Sequence, residues 1–198
     1  MSRFITKDHY FIKAKSQGFK ARSVFKLSEI DESLKLFKKD SKVLDLGCAP
    51  GSWLQYVASK IGPKGLALGV DLTPVTESFH PSIKTVVDDC FLLDHTKIAM
   101  HLGQETRFDV VLSDMAPKTT GIKHVDQIRS FDLAETALNI AEPVLKKGGH
   151  VVIKVFAGAE VSLLIARMKR LFSVVKQMRP KSVRAPSKEF YVVGLNKK

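Results

Sequence analysis

Two acids bracket a glycine turn within residues 42–71. Val43, Leu44 and Leu46 form a short apolar run, interrupted by Asp45, that ends in Gly47-Cys48-Ala49-Pro50-Gly51. Beyond the glycines, Trp53, Leu54, Tyr56, Val57 and Ile61 recur at helical spacing, and a second apolar run over 66–70 ends in Asp71. Strand, glycine turn, helix, strand and acid make half of a doubly wound nucleotide-binding sheet. Glycine lets backbone and ligand approach where a Cβ would clash, and a carboxylate at the tip of the second strand can accept from both hydroxyls of a ribose. Any βαβ unit needs a turn, and an acid there can be a mere cap. Asp45, the G-x-x-x-G turn and Asp71 together favour a ligand. Dinucleotide folds use G-x-G-x-x-G, which is missing here, and Pro50 removes an N–H that a pyrophosphate would use. The turn therefore suits a ligand without phosphates, such as S-adenosylmethionine (SAM), and disfavours a nicotinamide dehydrogenase.

Further candidates fall at the ends of other apolar runs. Residues 84–87 read as a third strand ending in Asp88-Asp89, where an acid can reach an adenine amino group or simply start a helix. Residues 108–113 read as a buried fourth strand leading into Asp114-Met115-Ala116-Pro117. Ligands bind at the carboxyl ends of parallel strands, so Asp114 sits where chemistry is expected. Residues 117–125, with Thr119, Thr120 and Gly121, read as a mobile loop beside it, either a lid or a connection. A fifth strand, 150–156, carries Lys154 near its carboxyl end in strongly apolar company, and a lysine there is rare unless paired or tuned. Glu189 opens the final strand, 189–195, after eight intervening Lys/Arg and with no acid since Glu160. A lone carboxylate so placed suggests pairing.

Helices must hold these strands. Residues 21–37 read as an amphipathic helix, with Val24, Phe25, Leu27, Ile30 and Leu34 on its apolar side. Lys26 lies within that apolar half, where a lysine ordinarily snorkels to water. Weaker helical patterns cover 92–102, 126–145 and 161–172, the second ending at Lys146-Lys147-Gly148-Gly149 with helix-stop chemistry. A sixth strand is expected over 173–178. The result is an α/β fold of the doubly wound, Rossmann-like kind.

With 198 residues the chain reads as one domain, 1–198, with a basic N-terminal segment over 1–20. That segment intersperses Phe4, Tyr10, Phe11, Ile12 and Phe19, aromatics that can stack on bases or dock on the core. A formal charge of +12 points to a polyanionic partner. Its distribution is sharper: residues 1–42 carry 11 Lys/Arg against 5 Asp/Glu, residues 115–198 carry 16 against 6, and residues 43–114 reverse this with 5 against 9. Basic flanks suit nucleic acid phosphates, and the acidic middle suits a cationic sulfonium. Cys48 and Cys90 lack metal-ligand spacing, so no metal is expected, and they read as reduced thiols of an intracellular, cytoplasmic protein. No apolar run reaches membrane-spanning length, and the N-terminus lacks a secretory apolar region.

Five separated motifs go further: K-A-R-S-V-F-K-L around Lys26, D-L-G-C-A-P-G-S-W, L-S-D-M-A-P, V-I-K-V-F and S-K-E-F-Y. Over about residues 8–196 the chain resembles the FtsJ/RrmJ heat-shock family of SAM-dependent 2′-O-ribose RNA methyltransferases. The resemblance implies a Lys-Asp-Lys-Glu tetrad at Lys26, Asp114, Lys154 and Glu189. It also implies SAM contacts at Gly51, Trp53, Asp71, Asp89 (or its neighbour Asp88) and Asp114. A seven-stranded, mostly parallel sheet with an antiparallel last strand is implied as well. Lys154 would be the base, Asp114 would orient it, and Lys26 with Glu189 would position the ribose. The implied partner is ribosomal RNA of the large subunit, at a uridine of the peptidyl-transferase region, acted on by a monomer; the short tail after Leu195 favours this over the tRNA anticodon loop. An RNA-binding ribosome-assembly factor is the alternative of another class.

Overall fold

The computed structural model describes residues 9–198, so Phe4 and the start of the basic N-terminal segment lie outside the described residues. Seven strands form one sheet: β1 (Lys42–Leu46), β2 (Leu66–Asp71), β3 (Ile83–Val87), β4 (Phe108–Ser113), β5 (Leu145–Phe156), β6 (Phe172–Met178) and β7 (Glu189–Lys197). Their order is β3-β2-β1-β4-β5-β7-β6. The first five run parallel, and β7 is antiparallel to both of its neighbours. Chain order reverses direction between β1 and β4, so the carboxyl ends of these two strands open a crevice.

Six helices cover the sheet: α1 (His9–Ser16), α2 (Val24–Leu34), α3 (Ser52–Ile61), α4 (His95–Leu102), α5 (Lys123–Val144) and α6 (Val161–Leu171). Strands covered on both faces read as continuous apolar runs, and period-two alternation decides which helices each residue meets. Leu44, Leu46, Leu68 and Val70 face one way, into a core with Ile98, Ala137, Leu138 and Leu164. Val43, Ala67, Val110 and Leu112 face the other, against Leu27, Ile30, Leu54 and Val57 of α2 and α3. Helix α2 is thus a layer of the core, and the connection ahead of it is tied to α3 by Gln55, which bonds the Lys20 N–H and the Gly18 carbonyl.

Several boundaries differ from the sequence expectation for local reasons. The helix expected over 21–37 is shorter. Lys35 turns into the left-handed region, and the buried Asp31 carboxylate accepts the N–H groups of Leu36 (2.9 Å) and Phe37 (3.3 Å) that would otherwise extend it. The helix expected over 92–102 splits into a 3-10 turn, Cys90–Leu92, and α4, because Asp94 caps the Lys97 N–H at 2.9 Å. Residues 146–149, read as a helix stop, instead lie within β5. Pairing jumps from Phe108↔Leu145 to Val110↔His150, so these residues bulge out, with Gly148 at φ +76°.

Gly69 of β2 shows how closely the turn and α3 pack on the sheet. A Cβ there would lie 2.6 Å from Leu54 Cδ1 and 2.8 Å from Cys48 Sγ. Gly69→Ala should therefore lower unfolding stability by about 1–3 kcal/mol, read as a lower urea midpoint at unchanged slope.

Candidate active site

The crevice at the β1/β4 switch is a cleft of about 450 Å³ lined by residues that leave the carboxyl ends of four parallel strands. Gly47 follows β1, Asp71 and Leu72 end β2, Asp88, Asp89 and Phe91 follow β3, and Asp114, Met115 and Ala116 follow β4. Gly47 has φ +78°, and a Cβ on it would meet the Met115 side chain at 2.7 Å. Glycine therefore keeps open the narrow passage between the two strand ends.

Asp71 organises the turn: its carboxylate accepts the Ala49 N–H at 3.0 Å and the Thr73 N–H at 2.8 Å. The adjacent acids Asp88 and Asp89 are in different situations. Asp88 is engaged by His101 Nε2 at 2.9 Å and by Lys97 at 3.5 Å, and the His101 bond is the main reason its carboxyl lies below the ordinary range. The Asp89 carboxylate accepts the Phe91 N–H at 2.9 Å and caps the 3-10 turn that forms the cleft wall. Gly51 and Trp53 do not line the cleft. Gly51 starts α3 beneath Val75 and Phe79, and Trp53 is buried, tilted over Tyr191 with ring centroids 5.9 Å apart.

Behind the turn, Asp45 is fully buried, and among the described residues neither carboxylate oxygen has a hydrogen-bond partner. Burial, helped by the charges of Asp114 and Asp71, pushes its carboxyl well above the ordinary range. Burial likewise raises the Cys48 thiol, and the Cys90 thiol is pushed up to about 12. Both thiols are free and buried, and both cysteines pack in the core.

The four tetrad residues come together in two pairs beside the cleft. Lys154, 6% exposed, lies 3.0 Å from the Asp114 carboxylate and also donates to the Asp114 carbonyl. The Tyr191 hydroxyl donates to the same Asp114 oxygen at 2.7 Å. Lys26 of α2 forms an ion pair with Glu189. Strand pairing explains the convergence. Lys154 is directly opposite Tyr191, and Glu189 lies two residues before Tyr191, so all three share one face of the sheet. That face is the one α2 covers. Trp53 fixes the approach of α2, since its indole N–H donates to the Ser23 carbonyl at 2.9 Å while Ser23 and Ser52 join hydroxyls at 2.9 Å.

Tyr191 is a site residue that the sequence reading missed. An aromatic in an apolar strand reads as core, and the signals that could have marked it were its place two residues after Glu189 and at the end of the S-K-E-F-Y motif. The loop over 117–125 is anchored rather than loose at its far end: Asp126 accepts from the Thr120 N–H (2.7 Å), the Thr120 hydroxyl (2.9 Å) and the Gly121 N–H (3.2 Å), and α5 begins at Lys123. These bonds also hold the Asp126 carboxyl below its ordinary range.

The sequence profile of the FtsJ-like methyltransferase family matches residues 19–197. The chain belongs to that family. Among curated relatives of this FtsJ-like protein is the ribosomal RNA large subunit methyltransferase E of Bdellovibrio bacteriovorus, 48% identical over 192 residues and covering 97% of each chain. The protein of the same name from Desulfatibacillum aliphaticivorans is 46% identical, over 97% of this chain and 91% of its own. A Plasmodium falciparum crystal structure described as a ribosomal RNA methyltransferase matches with a TM-score of 0.78 at 25% identity, covering 90% of this chain and 98% of that one. The FtsJ-like methyltransferase fold, with its mostly parallel sheet and antiparallel β7, is therefore as the motifs implied.

The state of Asp45 can be read from stability against pH. Unfolded, the group ionises as pH passes its ordinary value of 3.8, while the folded group stays neutral, so folding is progressively disfavoured as pH rises. Without added ligand, wild type should lose stability relative to Asp45→Asn from about pH 4 upward, by at most about 1.4 kcal/mol per pH unit. Urea melts across pH measure this, and a constant difference would contradict a neutral Asp45.

Proposed function

We propose that this methyltransferase transfers a methyl group from SAM to a ribose 2′-oxygen of large-subunit ribosomal RNA. The target would be a uridine of the peptidyl-transferase region in the assembled subunit. The observation that carries the reading is the meeting of Lys154, Asp114 and Tyr191 with the Lys26–Glu189 pair at the rim of an acidic cleft. The names of the curated relatives support the ribosomal substrate.

The cleft suits the donor. SAM carries a sulfonium and an ammonium cation. Asp71, Asp89 and Asp114 line the site, and the unpartnered Asp45 behind the turn adds a carboxyl whose ionisation a nearby cation would favour. Asp71 would take the ribose hydroxyls and Asp89 the adenine amino group, with Leu72 and Phe91 as apolar walls. Gly51 and Trp53 would act from behind, by shaping the start of α3. When bound, SAM supplies an electrophilic methyl group on sulfur.

The chain must then make a weak nucleophile reactive. A neutral hydroxyl attacks poorly unless its proton leaves as the new bond forms. Lys154 Nζ is the acceptor we assign: it would take that proton as a neutral amine, after releasing its own proton to water when the cationic donor binds beside it. Asp114 holds it through a carboxylate and a carbonyl oxygen, and the Tyr191 hydroxyl fixes that carboxylate in turn. Lys26 and Glu189 position the ribose, and such positioning supplies much of the rate.

Basic residues around the site would bind RNA phosphates. Arg167 is committed elsewhere, to Glu135, Glu142 and Asn139 of α5. The cations nearer the tetrad are those of residues 179–188 and of the α1–α2 region. A cytoplasmic monomer acting on the large subunit is the form that fits this reading. Among the described residues no helix is long and apolar enough to cross a membrane.

Methyl-labelled SAM offered with unmodified large subunits, their free RNA and bulk tRNA should give label in 2′-O-methyluridine from large subunits. Label confined to tRNA would move the substrate, and binding of SAM without transfer would favour an assembly factor. Lys154→Ala should reduce transfer by at least about 10²–10⁴-fold while SAM affinity by calorimetry stays within about threefold. An active Lys154→Ala enzyme would remove Lys154 from the role of base. RNA binding should also weaken steeply with salt, as counterion release requires, and a flat response would contradict phosphate contacts.

A further inference from the structure

Between β6 and β7, residues 179–188 form a segment without helix or strand that carries Arg179, Lys181, Arg184 and Lys188 and runs directly into Glu189. Such a segment keeps one shape only if its backbone polar groups find partners. Some of the support is internal. The Arg179 guanidinium donates to the carbonyls of Ser187 at 2.6 Å and Glu189 at 3.2 Å, and two turns close at 3.0 Å, Val183 to Pro180 and Ser187 to Arg184.

Ala157 donates its N–H to the Lys188 carbonyl at 3.0 Å, and further support comes from α2 and the turn ahead of it. Glu29, one helical turn beyond Lys26, directs its carboxylate to the near end of the segment. One oxygen accepts the Lys181 N–H at 2.5 Å and the other accepts the Ser182 N–H at 3.0 Å. Arg22, just before α2, donates to the Ser182 carbonyl. Ser182 is wholly buried and Val183 nearly so, so the Ser182 N–H and carbonyl have little recourse to water, whereas Lys181 is exposed. Lys26 holds Glu189 at the far end. Two residues on one turn of a core helix therefore grip both ends of the cationic segment.

We propose that Glu29 is a positioning residue for the RNA substrate, anchoring the 179–188 segment so that its cations face the RNA in one fixed arrangement, while Lys26 independently holds Glu189. The proposal rests on the RNA methyltransferase reading above. Charge makes it unusually testable. Glu29 is an anion among Arg22, Lys26, Arg179, Lys181 and Arg184, in the region expected to meet phosphates. As a charge alone it would oppose RNA binding, and removing it would tighten the complex. As an anchor it promotes binding, and removing it loosens the complex. Arg22 reports how crowded the cations are: burial first, and then Arg184 of the segment, lower its guanidinium below the ordinary value.

The test uses the full chain carrying Glu29→Ala or Glu29→Gln, with large ribosomal subunits and labelled SAM. In Glu29→Ala the KM for the subunit should rise about tenfold, the scale expected for losing hydrogen bonds to a charged acceptor. The kcat should stay within about threefold and SAM affinity should not change. Glu29→Gln, whose amide oxygen still accepts one N–H, should fall between Ala and wild type. Amide hydrogen exchange at Lys181 and Ser182 should quicken in the same order. An unchanged or lowered KM in both variants overturns the proposal, as does a raised KM accompanied by weakened SAM affinity and a lowered melting temperature, which would mark a purely structural role. A wild-type enzyme that methylates no RNA would overturn the underlying reading as well, whereas an active wild type matched by Glu29→Ala overturns the anchoring role alone.

Discussion

A lysine buried at the carboxyl edge of the sheet must be paired, and much of this structure follows from that demand. An ammonium removed from water needs an opposing charge and acceptors of good geometry. For Lys154 both come from Asp114, which contributes its carboxylate and its carbonyl. The carboxylate needs a partner too, and Tyr191 provides one from β7. Tyr191 is held in turn by the Trp53 ring, and Trp53 links the turn ahead of α2 to the sheet. The Lys26–Glu189 pair then closes over the same face. Five elements, α2, α3, the end of β4, β5 and β7, are therefore fixed relative to one another by a short chain of contacts inside an otherwise apolar layer.

How far this was visible in the sequence depended on whether the signal was local. Parallel strands buried on both faces announce themselves as runs such as those of β1, β2 and β4, and the glycine turn with Asp71 is a local pattern. Asp114 and Lys154 could be singled out because each lies at a strand end in unusual company. Lys26 could not, since a lysine on the apolar side of a helix looks the same whether it snorkels or meets Glu189, and only the family motifs drew it into the site. Trp53 shows the opposite problem: a motif marks it, but spacing does not say that its ring lies over Tyr191 rather than in the cleft. The bulge over 146–149 was misread because two glycines after two lysines end a helix as well as they loosen a strand, and only the pairing of β4 with β5 decides between the two.

Charge divides the molecule by task. Around the glycine turn, Asp71, Asp89 and Asp114 make the cleft electronegative, while cations gather on α1, in the connection from α1 to α2 and in the segment before β7. The two zones meet at the tetrad, where each lysine is matched to an acid. Self-repulsion among the cations is moderated by acids within the basic zone, Glu29 and Glu189 among them, so the zone holds together before any polyanion arrives.

The position of β7 has a consequence for biosynthesis. It follows every other strand in chain order yet lies between β5 and β6, so until it is made β5 presents an open edge at the centre of the finished sheet. The cleft walls can assemble from the strands made first, but Tyr191 and Glu189 join only when β7 inserts. A nascent chain can therefore shape the cleft well before the two pairs beside it are complete. During that interval its unpaired β5 edge is the surface most exposed to mispairing with other chains.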